Sequence, residues 1–338
     1  MSELVALAQR LVNIPSASGE EAEAARFVAA HLVEVGYAVE VFEAAPGRPN
    51  VLATTDRPPR VVLSTHLDTV PPHLPAREER GFLYGRGACD AKGIIAAQIT
   101  AAERLRAEGV GEIGLLFVVD EEMGSAGART ANAHPRAGEC RWLIDGEPTD
   151  NKLAAGSKGS LRLSLRTEGV TAHSAYPEQG RSAIDPLLDV LADVRRTPWP
   201  TDPFFGDTTL NIGVIAGGSR PNVLAGEARA DLQIRLVTDA APVRQLLERT
   251  VDGRARIEYL TAVNPVRLTT VPGFETCVVR FTTDIPHLAN WGSPLLIGPG
   301  SILDAHTAHE RISLAELAAG AEMYVRLVRA LLCANGAA

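Results

Sequence analysis

A chain of 338 residues, 46% apolar and 22% charged, has the composition of a folded protein with one large core or two ordinary ones. Its formal net charge of -8 and its scattered arginines argue against nucleic-acid binding. No stretch approaches the roughly 18 uninterrupted apolar residues that a bilayer span needs. Met1-Ser2-Glu3-Leu4 lacks a basic leader, and the four cysteines form no Cys-x-x-Cys pair. The expectation is a cytoplasmic protein in a reducing compartment, with no nucleic-acid or membrane partner.

Leu4, Leu7 and Leu11 mark an amphipathic opening helix that stops near Pro15. Ser18-Gly19-Glu20 starts a second helix, rich in Ala and Glu, ending at Gly36. Residues 37–42 and 50–54 read as strands around an Ala-Pro-Gly-Arg-Pro turn, and 61–63 as a short buried strand running into His66. An Ala-rich helix over 92–108 is closed by Gly109. Strands follow at 113–119 and 142–144, the second leading to Asp145 and Glu147. Apolar strands alternating with helices predict an α/β domain with a mixed or mainly parallel sheet. Ligands of such sheets gather at the carboxyl ends of the strands, where these carboxylates fall.

After Gly159 the texture changes. Strands over 161–167, 210–215, 228–236 and 256–260, with helices over 182–194 and 240–250, predict a small α+β unit. Val271-Pro272-Gly273 reads as a hinge, after which a strand at 294–297, a glycine loop and a final helix over 312–332 complete the chain. The simplest topology is a split catalytic domain, 1–158 and 272–338, with residues 159–271 inserted.

His66 and Asp68, two apart on extended backbone, point to the same side. His66 is assigned to a metal and Asp68 to the support that fixes its tautomer. Gly85-Arg86-Gly87-Ala88-Cys89-Asp90 lacks a GxGxxG fingerprint, and its glycines allow close turns around a ligand. Asp90 at its end can bridge two ions, whereas Cys89 reads as a small buried turn residue. In Asp120-Glu121-Glu122 adjacent side chains diverge, so one carboxylate can hold a metal while its neighbour accepts a proton from water. So much negative charge beside a core is explained best by two divalent cations.

Taken together, Ser64-Thr65-His66-Leu67-Asp68-Thr69-Val70-Pro71, the segment from Tyr84 to Gly93, Asp120-Glu121-Glu122, Asp145-Gly146-Glu147-Pro148-Thr149, Gly298-Pro299-Gly300 and Ala305-His306-Thr307 resemble the dinuclear zinc amidohydrolases and exopeptidases of the M20 type. The resemblance implies a zinc-exopeptidase-like catalytic domain with a lid or dimerisation domain inserted, and a homodimer formed through that insert. It implies that His66 and Glu147 hold one zinc, that Glu122 and His306 hold the other, and that Asp90 bridges them. Asp145 competes with Glu147 for its place. Glu121 becomes the general base and Asp68 the partner of His66. The Thr171-Ala172-His173-Ser174-Ala175 stretch is similar to the family's lid-domain histidine motif, which makes His173 an oxyanion-stabilising residue. Arg220 and Asn222 resemble a substrate-binding loop. Lys158 and Arg235 are candidates to meet a substrate carboxylate, and Asp284 and Gly300 lie in segments that resemble substrate-side loops. His309 departs from the acid that relatives often carry there.

The expected reaction is hydrolysis of an N-acyl amino acid, N-acetylornithine or a related arginine- or lysine-pathway intermediate, with Glu121 taking the proton of the attacking water. The alternatives are a succinyl-diaminopimelate desuccinylase or a dipeptidase or carboxypeptidase of the same type, and a catalytically silent metal-stabilised scaffold. Zinc suits the ligand set, and cobalt or manganese can occupy it too.

Overall fold

The inner strands of the central sheet are buried on both faces. In the computed structural model, which describes residues 2–333, six strands lie in the order Ala38–Ala45, Arg48–Thr54, Ile113–Val118, Val61–His66, Trp142–Asp145 and Ser293–Leu296. Among the first three, each neighbouring pair is antiparallel, and the last four run parallel, so the sheet is mixed. Val61 and Leu63 face one core with Leu115 and Phe117, while Val62 faces the other with Leu116 and Leu143. Helices Ser2–Val12, Ala22–Glu34, Lys92–Ala107 and Leu314–Cys333 contribute to the first core, and Ala126–Asn132 to the second. Covering both faces is what permits unbroken apolar runs such as Ile113–Val118. The carboxyl ends of the four parallel strands consequently share one edge of the sheet.

The chain divides into two compact units. The first comprises Met1–Ala155, Leu268–Cys277 and Thr283–Ala338, and the second Gly156–Arg267 and Val278–Thr282. These edges differ from the expected 158/159 and 271/272, and residues 1 and 334–338 at the ends of the expected catalytic segments lie outside those described. The stretch 278–282, expected in the catalytic part, goes with the second unit because Val279 and Phe281 carbonyls accept hydrogen bonds from Lys158 N and Ser157 Oγ. The expected hinge at 271–273 lies inside the first unit, where Val271 and Phe274 pack against its core.

The second unit is α+β. Its antiparallel sheet has the order Thr209–Gly217, Glu227–Leu236, Gly159–Glu168, Arg256–Val263. Leu161, Leu163, Leu165, Leu232 and Ile234 face helices Ile184–Arg196 and Ala240–Val251, burying Leu187, Val190, Val243 and Leu247. Strict alternation along Glu227–Leu236 leaves the opposite face polar.

Two helix starts differ from expectation. The second helix begins at Ala22, because Ser18 is drawn into a side-chain contact with Asp68. The last begins at Leu314, because Arg311–Ser313 pairs as a strand with Phe82–Tyr84. Among the described residues no helix is long and apolar enough to cross a membrane.

Candidate metal centre

His66 is the last residue of its strand, and local pairing aims the neighbouring acids at it. Leu67 N donates to Val118 O at 2.7 Å, which brings the end of Ile113–Val118 and the following Asp120-Glu121-Glu122 turn alongside. Gly146 N donates to Ser64 O at 2.7 Å and Thr65 Oγ1 to Gly146 O at 2.7 Å, which sets Glu147 beside His66. Gly146 is required there, because a Cβ would stand 2.5 Å from both Gln98 Nε2 and Ile94 Cγ2.

The five expected ligands converge. His66 Nε2 lies 2.9 Å from Asp90 Oδ1 and 3.9 Å from Glu147 Oε1. His306 Nε2 lies 3.3 Å from Asp90 Oδ2 and 2.8 Å from Glu122 Oε1. Asp90 thus turns one oxygen to each histidine. Two sets of donor atoms, from His66, Asp90 and Glu122 and from His66, Glu121 and Glu147, each fall within 4.8 Å of one another. Asp145, the competitor of Glu147, belongs to neither set.

Charge is concentrated here to an extent that protein cations do not balance. Burial, followed by the charges of Asp90 and Glu121, pushes the Glu147 carboxyl well above its ordinary range. Burial likewise raises Glu121, helped by Asp284, Glu122 and Asp68, with His66 opposing. Asp145 is pushed up to about 8 by burial and by Asp284, and Asp284 to about 7, mainly by burial. Asp145 Oδ2 and both Asp284 oxygens have no hydrogen-bond partner among the described residues. Hydrogen bonds donated to Asp90 and Glu122 raise His306 to about 10. For His66, burial works downward, but the Asp68 and Asp90 contacts overcome it and hold the imidazole well above its ordinary value. Those two histidines in turn hold Asp90 low against its burial. Two imidazoles and three carboxylates are a donor set that fits zinc, cobalt or manganese, and added positive charge would relieve the crowded acids.

Asp68 is wholly buried and does more than orient His66. The closest partner of His66 Nδ1 is the Asp68 backbone carbonyl at 2.9 Å, with the carboxylate Oδ1 at 3.5 Å. The carboxylate accepts the N–H groups of Glu121 and Glu122, each at 3.1 Å, and Ser18 Oγ at 2.7 Å. Against burial, His66 above all, then Ser18 and the Glu122 N–H, hold its pKa down. Glu121's own carboxylate accepts no hydrogen bond from a described residue.

Several contributors escape a reading of the sequence. Arg48 joins buried Glu21 to Asp120 Oδ1 at 2.8 Å, and Asp120, at φ +72, caps the acidic turn through Ala126 N. Thr283 beside the Asp145 carboxyl works against the rise in its pKa. Glu310 binds the backbone of the turn that ends at Asp90. Each is a contact between distant segments, and no local spacing announces it.

The remaining expected residues fall in two places. In the first unit, Asp284 is buried near Asp145, and Gly300, at φ +87, is buried where a Cβ would stand 2.6 Å from Cys89 Sγ. His309 is exposed, its N–H held by Thr307 Oγ1. In the second unit, exposed His173 meets the Asn222 loop: His173 bridges Val223, and Ser174 N donates to Asn222 O at 3.0 Å. Arg220 is exposed on the same loop. Lys158 is buried, its ammonium held by the Asp207 carbonyl, and Arg235 lies on strand Glu227–Leu236 opposite Ser160.

The sequence pattern of peptidase family M20/M25/M40 matches residues 62–330. A peptidase M20 domain-containing protein of Schizosaccharomyces pombe is 38% identical over 336 residues, covering 96% of this chain and 84% of that one. A probable carboxypeptidase of Aspergillus clavatus is 36% identical over 375 residues, covering 98% and 83%. The crystal structure of an M20 family metallo-carboxypeptidase from Sulfolobus solfataricus superposes with a TM-score of 0.78 at 16% identity, over 98% of this chain and 99% of that one. With that sequence match and that shared α/β fold, the chain belongs to peptidase family M20/M25/M40 and is a metallopeptidase-type hydrolase.

Proposed function

We propose that this protein is a metal-dependent exopeptidase of carboxypeptidase or dipeptidase type, hydrolysing an amide bond next to a terminal residue. The observation that carries the reading is Asp90, whose two oxygens face two different histidines, each with a further acid beside it. On this reading His66 and Glu147 hold one divalent ion, Glu122 and His306 the other, and Asp90 both. The ions, zinc in the first instance, would supply Lewis acidity and lower the pKa of water. Glu121, itself in the set with His66 and Glu147 and without a hydrogen-bond donor to its carboxylate among the described residues, takes the proton of the attacking water and returns it to the departing amine. Burial raises its affinity for a proton, which suits a group that takes one up and gives it back.

That similar proteins are named probable carboxypeptidases supports reading the substrate as a peptide rather than N-acetylornithine. His173, Arg220 and Asn222 share one exposed loop cluster in the second unit, which supports a role for them in holding the oxyanion and the substrate carboxylate. The homodimer through the second unit belongs to the same proposal, and its exposed edge strand Thr209–Gly217 supports it.

A turnover panel tests the assignment: dipeptides, N-blocked dipeptides with a free carboxyl end, N-acetylornithine and succinyl-diaminopimelate, assayed with and without added zinc. Metal-dependent release of the terminal residue from peptides is the expected result. Turnover restricted to N-acetylornithine would restore the deacetylase reading, and bound metal with no turnover across the panel would favour a silent scaffold.

A further inference from the structure

Glu310 is a buried carboxylate with an unusual share of its surroundings committed to it. Its Oε1 accepts the backbone N–H groups of Gly87 at 2.8 Å, Cys89 at 3.2 Å and Asp90 at 3.2 Å. Its Oε2 takes Arg86 Nη1 at 2.5 Å, and its backbone carbonyl accepts Gly85 N at 3.0 Å. One residue therefore gathers donors from almost every position of the turn that ends at Asp90. That turn holds itself only in part: Ala88 N bonds Gly85 O at 3.0 Å, but Gly85 and Gly87 have φ of +143 and +84, and the buried N–H groups of Gly87, Cys89 and Asp90 depend on Glu310. Unanswered, each buried N–H would cost on the order of the desolvation of a polar group.

The same residue lies four positions after His306, at the end of the loop that carries this histidine and directly before strand Arg311–Ser313. Its carboxylate thus ties the Asp90 turn to the His306 loop, segments more than 200 residues apart in sequence. We infer that Glu310 is a positioning residue for the cation pair, fixing Asp90 relative to His306 and thereby the second ion's site. The inference rests on the metal-dependent reading above and adds a residue that touches neither ion nor substrate.

The side chain's chemistry makes the inference testable. Glutamine keeps the volume but replaces one acceptor oxygen by a donor NH2, which must oppose either the three backbone N–H groups or the Arg86 guanidinium. Metal-free wild type and Glu310→Gln are titrated stepwise with Mn2+, with bound and free ion read by electron paramagnetic resonance and folding by thermal melting. Wild type should take two ions and show the signal of an exchange-coupled pair. In folded Glu310→Gln the first ion should bind within about threefold of wild type, and the second roughly 10- to 100-fold more weakly. The coupled signal should vanish at stoichiometric metal and return at excess metal.

Two ions bound with wild-type affinity and an intact coupled signal would overturn the inference, even with a lower melting temperature. Equal weakening of both ions would overturn it too, since that reports a general loss of structure. If Glu310→Gln fails to fold, Glu310→Asp, which keeps the charge and retracts it by one methylene, decides by the same two criteria. A wild type that takes up no Mn2+, Zn2+ or Co2+ defeats the metal reading itself and the inference with it, an outcome separate from the others.

Discussion

Asp68 holds Glu121 by its backbone, with Oδ1 3.1 Å from the Glu121 N–H, and leaves the Glu121 carboxylate unbonded. Positioning and reactivity are thereby divided between two acids. Glu121→Gln should keep the fold and the metal content while lowering turnover by roughly a hundred- to ten-thousand-fold, the usual worth of a general base. Turnover measured beside metal content and melting temperature checks this. Activity near wild type at equal metal loading would remove Glu121 from that role.

Cations should stabilise the fold as well as the reaction. Any ligand that binds only the folded state adds about 2.7 kcal/mol at a hundred times its dissociation constant. Exhaustive chelation should therefore lower the melting temperature, and zinc or manganese should restore it. Asp90→Asn, which weakens the group shared by both histidines, should blunt that recovery. A melting temperature indifferent to chelator would contradict the metal centre.

Metal uptake should release protons. Without cations the His306 imidazolium is held up to about 10 by its bonds to Asp90 and Glu122, and buried Glu147 also binds a proton more tightly than usual. Ligation needs both deprotonated, so the metal-free state carries more protons than the loaded one and apparent affinity should rise with pH through neutrality. Calorimetry in buffers of differing ionisation enthalpy counts those protons. The metal-free fold should respond separately: the His306 pKa is raised, so its contribution is full below about 6.5 and fades as pH climbs to about 10.

Gly146→Ala should show how tightly the floor of the site is packed. The added methyl meets Gln98 Nε2 and Ile94 Cγ2 at 2.5 Å and Tyr324 Oη at 2.9 Å. Gln98 and Tyr324 are fixed by bonds to Ser64 O and Ile297 O, so the Gly146-Glu147 backbone must shift instead. A loss of about 1–3 kcal/mol is expected on overpacking grounds. Denaturant unfolding measures it, and metal titration should show the Glu147 site weakened. An unchanged midpoint would mean the floor can yield.

What could be read from the chain was whatever repeats locally. Apolar runs ending in His66, Glu122 and Glu147 reveal both the sheet and its functional edge, because strand burial and ligand placement obey the same geometry. The mixed α/β fold and the α+β character of the second unit are visible in the same way. Ser18 was misread as a helix start, since the partner that claims its hydroxyl, Asp68, is 50 positions away. Arg48, Glu21 and Glu310 are similarly silent, because each finds its partner in a distant segment. The return of 278–282 to the second unit depends on backbone bonds to Ser157 and Lys158, which carry no sequence signature. Substrate preference was least legible: motifs record how cations are gripped, and the choice of amide depends on loops with no shared pattern.

The first unit is discontinuous, with the whole second unit made in between. During synthesis, therefore, His66, Asp90, Glu122 and Glu147 emerge long before His306, and strand Trp142–Asp145 waits for Ser293–Leu296 with one edge unpaired. Until His306 has been made, the nascent chain lacks one of the two histidines that face Asp90. Over the same interval that bare edge is its point of greatest exposure to misassembly.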